Sequence, residues 1–217
     1  VFVEKPGVAN SEAWKQLCID YPATRFMMVK NNQYRDLRQF KLLADQSHTV
    51  RIVWNNKNRI PNPGSWFTNK ELAFGGVSRD LMPHMLSYYC ALTDWRKGTT
   101  QSAMARQCFE LDDIVDSDYG TVNPDGVYDV DDLCELEYVT SDNVQWTIGA
   151  DWKNDHKDDI GISFGSKNSA VRFDLGLCPE EAYEAMIATA WGNLGNDEFW
   201  IEQFDQDVWI HKQIENL

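Results

Sequence analysis

The sequence predicts an α+β fold, with a large, mostly antiparallel, open sheet and helices packed on one face of it. In the second half of the chain, apolar residues alternate with polar ones over several short segments, which is the pattern of strands with one buried face. Turn-forming connections separate these segments, and two long segments with helical periodicity close the chain. Apolar side chains make up 43% of the residues, enough to bury a substantial core.

The first part of the chain alternates between the strand and the helix pattern. VFV at the start resembles the end of a buried strand. A helix follows it, capped by Asn10 or Ser11 and ended by Pro22. The next predicted elements are a strand in RFMMVKN, a helix in YRDLRQFKLLADQ, a strand in HTVRIVW and a loop over residues 55–65.

The second half supplies most strands of the predicted sheet. Their alternating apolar residues are, in chain order, Val130, Cys134, Leu136 and Tyr138; Val144, Trp146, Ile148 and Ala150; Ile160, Ile162 and Phe164; and Val171, Phe173 and Leu175. The connections TSDN and GSKNS favour an antiparallel meander. Two helices follow, in PEEAYEAMIATAW and NDEFWIEQFDQDVWIHKQIEN. The sequence indicates no internal repeat and no further domain boundary.

Charge and composition argue against several classes of partner. The chain carries 20 basic and 34 acidic side chains, and its formal net charge of −14 repels nucleic acid and anionic lipid surfaces. Neither a spanning apolar segment nor a signal-peptide layout is evident. The five cysteines are odd in number and include no C-x-x-C pair, so they indicate neither a disulfide framework nor a zinc site. We therefore expect buried thiols and a cytoplasmic protein.

The run GGVSRDLMPHMLSYY, residues 75–89, places ionisable side chains inside an apolar helical segment. Asp80 and His84 lie one turn apart if the helix is continuous, and a carboxylate in that position orients an imidazole and raises its basicity, as a general base requires. Pro83 removes a helical hydrogen bond and is expected to kink or restart the helix. The alternative is that Asp80 caps a helix and His84 is a core histidine with its hydrogen bonds satisfied.

A lysine follows the first predicted strand, in EKP at residues 4–6. Open α/β sheets bind ligands at the carboxyl ends of their strands. Lys5 is therefore a candidate donor to a reacting hydroxyl, and the alternative is an ordinary surface lysine.

Four motifs occur in order along the chain: EKP after an apolar strand, KNNQYR, PNPGSWFTNKEL and GG-x-x-x-D-x-x-x-H. Together they resemble the glucose-fructose oxidoreductase/inositol dehydrogenase/rhizopine-catabolism (Gfo/Idh/MocA) family of NAD(P)-dependent dehydrogenases. The resemblance implies a Rossmann domain that ends at residues 1–6 and lies otherwise upstream. It also implies a C-terminal domain for substrate binding and oligomerisation at residues 7–217, α+β in class and of the dihydrodipicolinate-reductase-like type.

The resemblance implies roles for individual residues and a reaction. The residues predicted as catalytic are Lys5, Asp80 and His84, where Lys5 contacts substrate and cofactor, Asp80 contacts the substrate and His84 takes the hydroxyl proton. Those predicted to contact the cofactor, NAD or NADP, are Glu4, Lys5 and Pro6. Those predicted to bind substrate are Asn32, Trp66 and Arg79. The implied reaction is hydride transfer from a sugar, polyol or related secondary alcohol. For Asn32 the alternative is a strand-end turn residue, and for Trp66 and its neighbour Phe67 it is aromatic packing in the core.

Two features depart from the family pattern. Many members carry an Asp three residues after the His, where this chain has Ser87. The G-x-G-x-x-G fingerprint that cradles a dinucleotide is absent, so this chain alone is not expected to hold the cofactor or to be active. Alternative functions are a non-catalytic ligand-sensing relative and an oligomerisation module. We expect a homo-oligomer formed through the sheet face.

One segment has the spacing of a calcium loop. TVNPDGVYDVDD, residues 121–132, carries oxygen-bearing side chains and a glycine at several of the required positions. Its first position is Thr121 instead of a carboxylate, and a strand pattern follows where a helix is required. We therefore interpret it as an ordinary loop and predict no metal site.

Overall fold

The structure is a computed structural model that describes residues 1–154, 156–166 and 169–217. Within these ranges the strands are β1 (Phe2–Val3), β2 (Met27–Met28), β3 (Thr49–Asn55), β4 (Thr99–Arg106), β5 (Leu133–Val139), β6 (Gln145–Asp151), β7 (Asp159–Gly165) and β8 (Ala170–Asp174). The α-helices are α1 (Ser11–Asp20), α2 (Arg38–Ala44), α3 (Lys70–Ala73), α4 (Val77–Asp80), α5 (Met82–Leu92), α6 (Glu180–Gly192) and α7 (Asp197–Glu215). None of these helices is long and apolar enough to cross a membrane.

A six-stranded open sheet with the order β4-β5-β6-β3-β7-β8 forms the centre of the fold. Only the β3–β6 pair in this sheet is parallel, and the other four pairs are antiparallel. The mostly antiparallel α+β architecture expected from the sequence is therefore confirmed. A separate parallel pair, β1 with β2, lies outside the large sheet.

Helices α5 and α7 pack on the buried face of the sheet. In β5 the side chains of Cys134, Leu136 and Tyr138 are buried, as the alternating pattern predicts, and the residues between them are partly exposed. The Tyr89 ring of α5 stacks on the Tyr138 ring with centroids 4.8 Å apart, and the Trp209 ring of α7 contacts both, with centroids 5.7 Å from Tyr89 and 6.0 Å from Tyr138. These aromatic contacts join both helices to the sheet.

The opposite face of the sheet is polar. Arg51 of β3 and Glu135 of β5 form an ion pair of 3.3 Å there, and Glu137 accepts a hydrogen bond from Ser102 of β4. Both acidic residues belong to the half-exposed positions of β5. The alternation in sequence therefore predicts correctly which face of the sheet is buried.

Some elements differ from the prediction. RFMMVKN contains only the short strand β2, because a 3-10 turn over Asn31–Tyr34 follows it at once. Strand β4 carries no apolar alternation since it lies at the sheet edge and is largely exposed, so its sequence gives no strand signal. Cys108 is exposed, against the expectation that all thiols are buried. The predicted connection GSKNS includes residues 167 and 168, which lie outside the described residues.

An ion pair within the core joins α7 to β2. Lys30 and Asp207 are fully buried, with the lysine Nζ 2.5 Å from Oδ1 of the carboxylate. The backbone N–H of Met28 donates to Oδ2 at 3.0 Å. His211, one turn further along α7, has Nδ1 2.7 Å from the Asp207 carbonyl oxygen and Nε2 2.6 Å from the Pro6 carbonyl oxygen. Helix α7 is therefore connected to the EKP segment.

Candidate functional site

The two glycines of the GG motif let α4 begin against the segment that precedes β5. Gly75 has a φ of +149°, a backbone angle that residues other than glycine rarely adopt. A Cβ at Gly76 would lie 1.9 Å from the carbonyl oxygen of Asp131, so no side chain fits there. The Asp131 carboxylate accepts hydrogen bonds from the N–H groups of Gly76 and Ser78, at 3.0 and 2.7 Å. This contact fixes the start of the helical run and hence the position of Asp80.

The helical run is interrupted between the two predicted catalytic residues. Helix α4 ends at Asp80, and α5 restarts at Met82 with Pro83 in its first turn. The restart expected from Pro83 is confirmed, and the continuous helix is not formed, because proline cannot supply the N–H that would continue it. No hydrogen bond between the Asp80 carboxylate and the His84 ring occurs in the described part of the chain. Asp80 therefore does not orient His84 directly.

Asp80 instead holds the ammonium group of Lys5. Lys5 Nζ lies 2.6 Å from Asp80 Oδ1 and donates a second hydrogen bond, of 2.5 Å, to the Asp80 carbonyl oxygen. The other carboxylate oxygen accepts a hydrogen bond of 3.0 Å from the indole N–H of Trp152. Both oxygens of Asp80 are engaged, so its side chain positions the lysine head group. Sequence reasoning missed Trp152, because a tryptophan after a strand end carries no signal of a partner 72 positions earlier.

His84 lies on the same cavity as Lys5 and Asp80. The cavity has a volume of about 360 Å³, and its other lining residues are Trp54, Asn56, Arg59, Pro61, Phe67, Leu81, Tyr119 and Leu177. The His84 ring packs against the Trp54 ring with centroids 5.6 Å apart. Burial lowers the pKa of His84 to about 3, with a further contribution from the Lys5 charge and an opposing one from Asp80. At neutral pH the imidazole is therefore uncharged. Its basicity in this structure is lowered and not raised, so the expectation that Asp80 raises it is wrong, because burial and the Lys5 charge outweigh the effect of the carboxylate.

This depressed pKa predicts how stability depends on pH. In the unfolded chain a histidine titrates near a pKa of about 6.5, so between that value and about 3 the unfolded state binds one proton more than the folded state. The free energy of unfolding therefore falls as pH decreases through this window. Between pH 7 and pH 5, the free energy of unfolding is expected to fall in wild type by roughly 1–2 kcal/mol more than in His84→Asn, which lacks the titrating group. Urea denaturation at both pH values measures this, and equal losses in the two proteins would contradict it.

A smaller cavity, of about 130 Å³, adjoins the first and shares Lys5, Phe67 and Asp80 with it. Trp66 and Arg79, two of the predicted substrate-binding residues, line this smaller cavity together with Pro6. The Trp66 and Phe67 rings pack against each other with centroids 4.1 Å apart, and 57% of Trp66 is exposed. Trp66 is therefore part of a cavity wall.

Two predicted site residues lie elsewhere. Asn32 is buried beneath α5, where its side-chain oxygen accepts hydrogen bonds of 3.1 Å from the Tyr88 hydroxyl and 3.2 Å from Arg35 Nε. It lines neither of the two cavities, so its contact with substrate stays a prediction. Glu4 is exposed next to the EKP lysine and also lines neither cavity. A larger cavity, of about 570 Å³ and lined in part by Thr93, lies apart from Lys5, Asp80 and His84.

In the segment with calcium-loop spacing, Asp131 and Asp132 accept hydrogen bonds from other parts of the chain. The Asp132 carboxylate accepts hydrogen bonds from the N–H groups of Cys108 and Phe109 and from the Tyr128 hydroxyl. Asp131, its neighbour, holds the start of α4. Gly126 packs so closely on Gly64 that a Cβ would lie 1.8 Å from the Gly64 carbonyl oxygen. Among the described residues, no group of three or more His, Cys, Asp or Glu side chains is placed to hold a metal ion.

Comparison with known proteins supports the fold through solved structures. No protein-family model matches the chain, and no curated protein matches it in sequence. A structure of GenD2 from gentamicin A biosynthesis, in complex with NAD, matches with a TM-score of 0.63 and 18% identity, covering 100% of this chain and 67% of that one. A myo-inositol dehydrogenase from Corynebacterium glutamicum matches with a TM-score of 0.66 and 13% identity, covering 99% of this chain and 68% of that one.

A third structure gives the same result over a smaller region. Levoglucosan dehydrogenase, in complex with NADH and levoglucosan, matches with a TM-score of 0.59 and 17% identity, covering 80% of this chain. The match spans 47% of the levoglucosan dehydrogenase chain, so this chain corresponds to about half of that protein. From the sheet topology and these matches, we conclude that the chain has the fold of the matched portion of these three proteins, two of which were solved with NAD or NADH bound.

Proposed function

We propose that this chain is the C-terminal domain of a Gfo/Idh/MocA-family oxidoreductase that transfers a hydride from a sugar, a polyol or a related secondary alcohol to NAD or NADP. In this proposal residues 1–6 end the nucleotide-binding domain and residues 7–217 form the substrate domain. The observation that carries it is the convergence of Lys5, Asp80 and His84 on one cavity of about 360 Å³. Lys5 lies 75 positions before Asp80 in sequence, so the fold brings it to the helical run that carries the other two residues. Together the three residues have the chemistry of a hydroxyl oxidation.

Each of the three residues has a distinct role in this proposal. The uncharged His84 accepts the hydroxyl proton at a ring nitrogen. Lys5 donates a hydrogen bond to the substrate oxygen, and its positive charge stabilises the negative charge that develops there. Asp80, held in turn by Trp152, keeps the ammonium group at the cavity. Asp80 is then a positioning residue, which differs from the direct substrate contact that the family resemblance implies.

A nicotinamide cofactor, when bound, accepts the hydride from the substrate carbon. Residues of the smaller cavity could contact one side of the cofactor. Lys5 and Pro6 line this cavity, and so does Arg79, whose Nη1 nitrogen is buried without a hydrogen-bond acceptor. Glu4 completes the predicted contact segment. The cradle for the pyrophosphate would come from the nucleotide-binding domain.

A non-catalytic, ligand-sensing relative of the same fold is the second candidate. Ser87, which stands where many family members have an Asp, is fully buried and donates a hydrogen bond of 2.6 Å to the His84 carbonyl oxygen. It therefore offers no polar group to the cavity. The loss of this group favours the second candidate, whereas the intact Lys5–Asp80 pair and the position of His84 on the same cavity favour the enzyme.

Assembly and location complete the proposal. We propose a homo-oligomer formed through the outer face of the sheet, where charges of both signs allow self-complementary pairing. The formal net charge of −14 disfavours nucleic acid and anionic membranes as partners. A cytoplasmic location agrees with the five cysteines, none of which is described in a disulfide.

The test is a cofactor-reduction assay on the protein that includes its nucleotide-binding domain. We expect absorbance at the wavelength of reduced nicotinamide to rise with NAD or NADP and at least one member of a panel of sugars and polyols. Ligand binding by the same panel without cofactor reduction would support the sensing relative instead. Neither binding nor reduction with any member would overturn the proposed function.

A further inference from the structure

Arg79 lines the smaller cavity and has a guanidinium group without a hydrogen-bond partner among the described residues. One of its terminal nitrogens, Nη1, is buried with no acceptor in the described part of the chain. A Cβ at Gly75 would lie 2.8 Å from Cγ of Arg79, so the side-chain stem packs directly on the glycine. The stem is therefore fixed by packing on Gly75, and no carboxylate among the described residues is hydrogen-bonded to the guanidinium. A buried donor without an acceptor destabilises the protein and calls for an explanation.

The nearby carboxylates are engaged elsewhere. Burial lowers the pKa of Arg79, and the charges of Glu215 and Asp131 oppose this effect. Glu215, however, accepts hydrogen bonds from the backbone and the hydroxyl of Ser11. The Asp131 carboxylate accepts hydrogen bonds from Gly76 and Ser78 at the start of α4. The remaining acidic group of the cavity, Asp80, has both oxygens occupied. The cavity thus presents two cations, and its one carboxylate is already engaged.

Size and position restrict what binds there. The smaller cavity, of about 130 Å³, has less than half the volume of the larger one, of about 360 Å³, and therefore suits one end of a ligand that occupies both. The two cavities share Lys5, Phe67 and Asp80, so one ligand is able to reach from the Lys5–His84 side to Arg79. The planar fork of a guanidinium matches the two oxygens of a carboxylate or a phosphate.

We propose that Arg79 binds an oxyanion, a carboxylate or phosphate group of the ligand that occupies the Lys5–His84 cavity. This inference rests on the proposed function and adds a charge requirement to it. The oxyanion belongs either to an acidic substrate, such as a sugar acid, or to the cofactor. In both cases Arg79 gains the hydrogen-bond acceptor that the described chain does not provide.

The test is isothermal titration of the protein that includes its nucleotide-binding domain, with three probes: sodium glucuronate, its neutral counterpart glucose, and inorganic pyrophosphate. Arg79→Gln removes the charge and the fork, and Arg79→Lys keeps the charge without the fork. Arg38→Gln is the matched control, because Arg38 is exposed and pairs with Asp36 on the surface. Circular dichroism of each variant checks that it is folded.

We expect wild type and Arg38→Gln to bind one of the two anions, and Arg79→Gln to bind it at least tenfold more weakly, with Arg79→Lys between them. Preference for glucuronate over glucose assigns the oxyanion to the substrate, and Arg79-dependent binding of pyrophosphate assigns it to the cofactor. Equal binding by wild type and a folded Arg79→Gln, or no binding of either anion by wild type, would overturn the inference. Cofactor reduction with neutral sugars, unchanged in Arg79→Gln, would overturn it as well and would leave the proposed function intact.

Discussion

Replacing Asp207 with alanine is expected to lower the free energy of unfolding of this chain by roughly 3–5 kcal/mol. Asp207 and Lys30 are both fully buried, and the substitution leaves the lysine charge in the core without a counter-charge. It also removes the acceptor for the Met28 N–H. Burial raises the pKa of Asp207, and the Lys30 charge opposes this shift only in part, so burial disfavours the carboxylate even beside the lysine.

Chemical denaturation measures this effect, and two further variants test its cause. The double variant Lys30→Met/Asp207→Leu removes both charges and is expected to recover most of the lost stability, because an apolar pair carries no desolvation penalty. Asp36→Ala breaks an ion pair with Arg38 on the surface and is expected to change the stability by less than about 0.5 kcal/mol. If Asp207→Ala does not fold, the stability of the double variant still shows whether the unpaired lysine charge is the cause. A double variant less stable than the wild type by several kcal/mol would show that the charges themselves are required.

The ion pair also bears on the site. Asp207 and His211 lie one turn apart on α7, and the His211 ring connects the Asp207 carbonyl oxygen to the Pro6 carbonyl oxygen. Trp14 of α1 stacks on this ring with centroids 5.4 Å apart. The residue after the EKP lysine is therefore fixed from the core side, while Asp80 fixes the ammonium group from the cavity side. Contacts therefore fix both the backbone next to Lys5 and its ammonium group.

The sequence predicted those features that depend on local pattern. Strand β5 and the two last helices follow from the spacing of apolar residues, because one face of each is buried. The restart of the helix after Asp80 follows from Pro83, whose ring excludes a continuous hydrogen-bond ladder. The convergence of Lys5 with Asp80 and His84 came from the family resemblance and not from spacing, since position 5 and the helical run are linked only by the fold.

Features that depend on contacts between distant segments were not predicted. Trp152 donates to Asp80 across 72 positions, and Lys30 pairs with Asp207 across 177. The sequence around Trp152 is that of an ordinary strand-end tryptophan, and the sequence around Asp207 is that of an ordinary surface carboxylate on a helix. Strand β4 was missed for a related reason. At the sheet edge it is stabilised by backbone pairing with β5 and not by a buried apolar face, so no periodicity marks it.

The largest effect on activity is expected at His84 and Lys5. In the protein with its nucleotide-binding domain, His84→Asn removes the group that accepts the hydroxyl proton, and we expect kcat to fall by roughly 10²–10⁴-fold. Lys5→Met removes the donor to the substrate oxygen and the charge beside it, with an expected loss of roughly 10²–10³-fold. Steady-state turnover with the best substrate from the cofactor-reduction assay measures both.

The control for these variants separates catalysis from folding and binding. His48→Asn changes an exposed histidine away from the cavity and is expected to retain wild-type turnover. Because His84 acts on the proton and not on the fold, titration of His84→Asn with substrate is expected to give a dissociation constant within a few-fold of wild type. Turnover in His84→Asn close to that of wild type would remove the residue from the mechanism. If the wild-type protein binds sugars with no turnover at all, the same cavity residues would serve recognition alone, as the sensing relative requires.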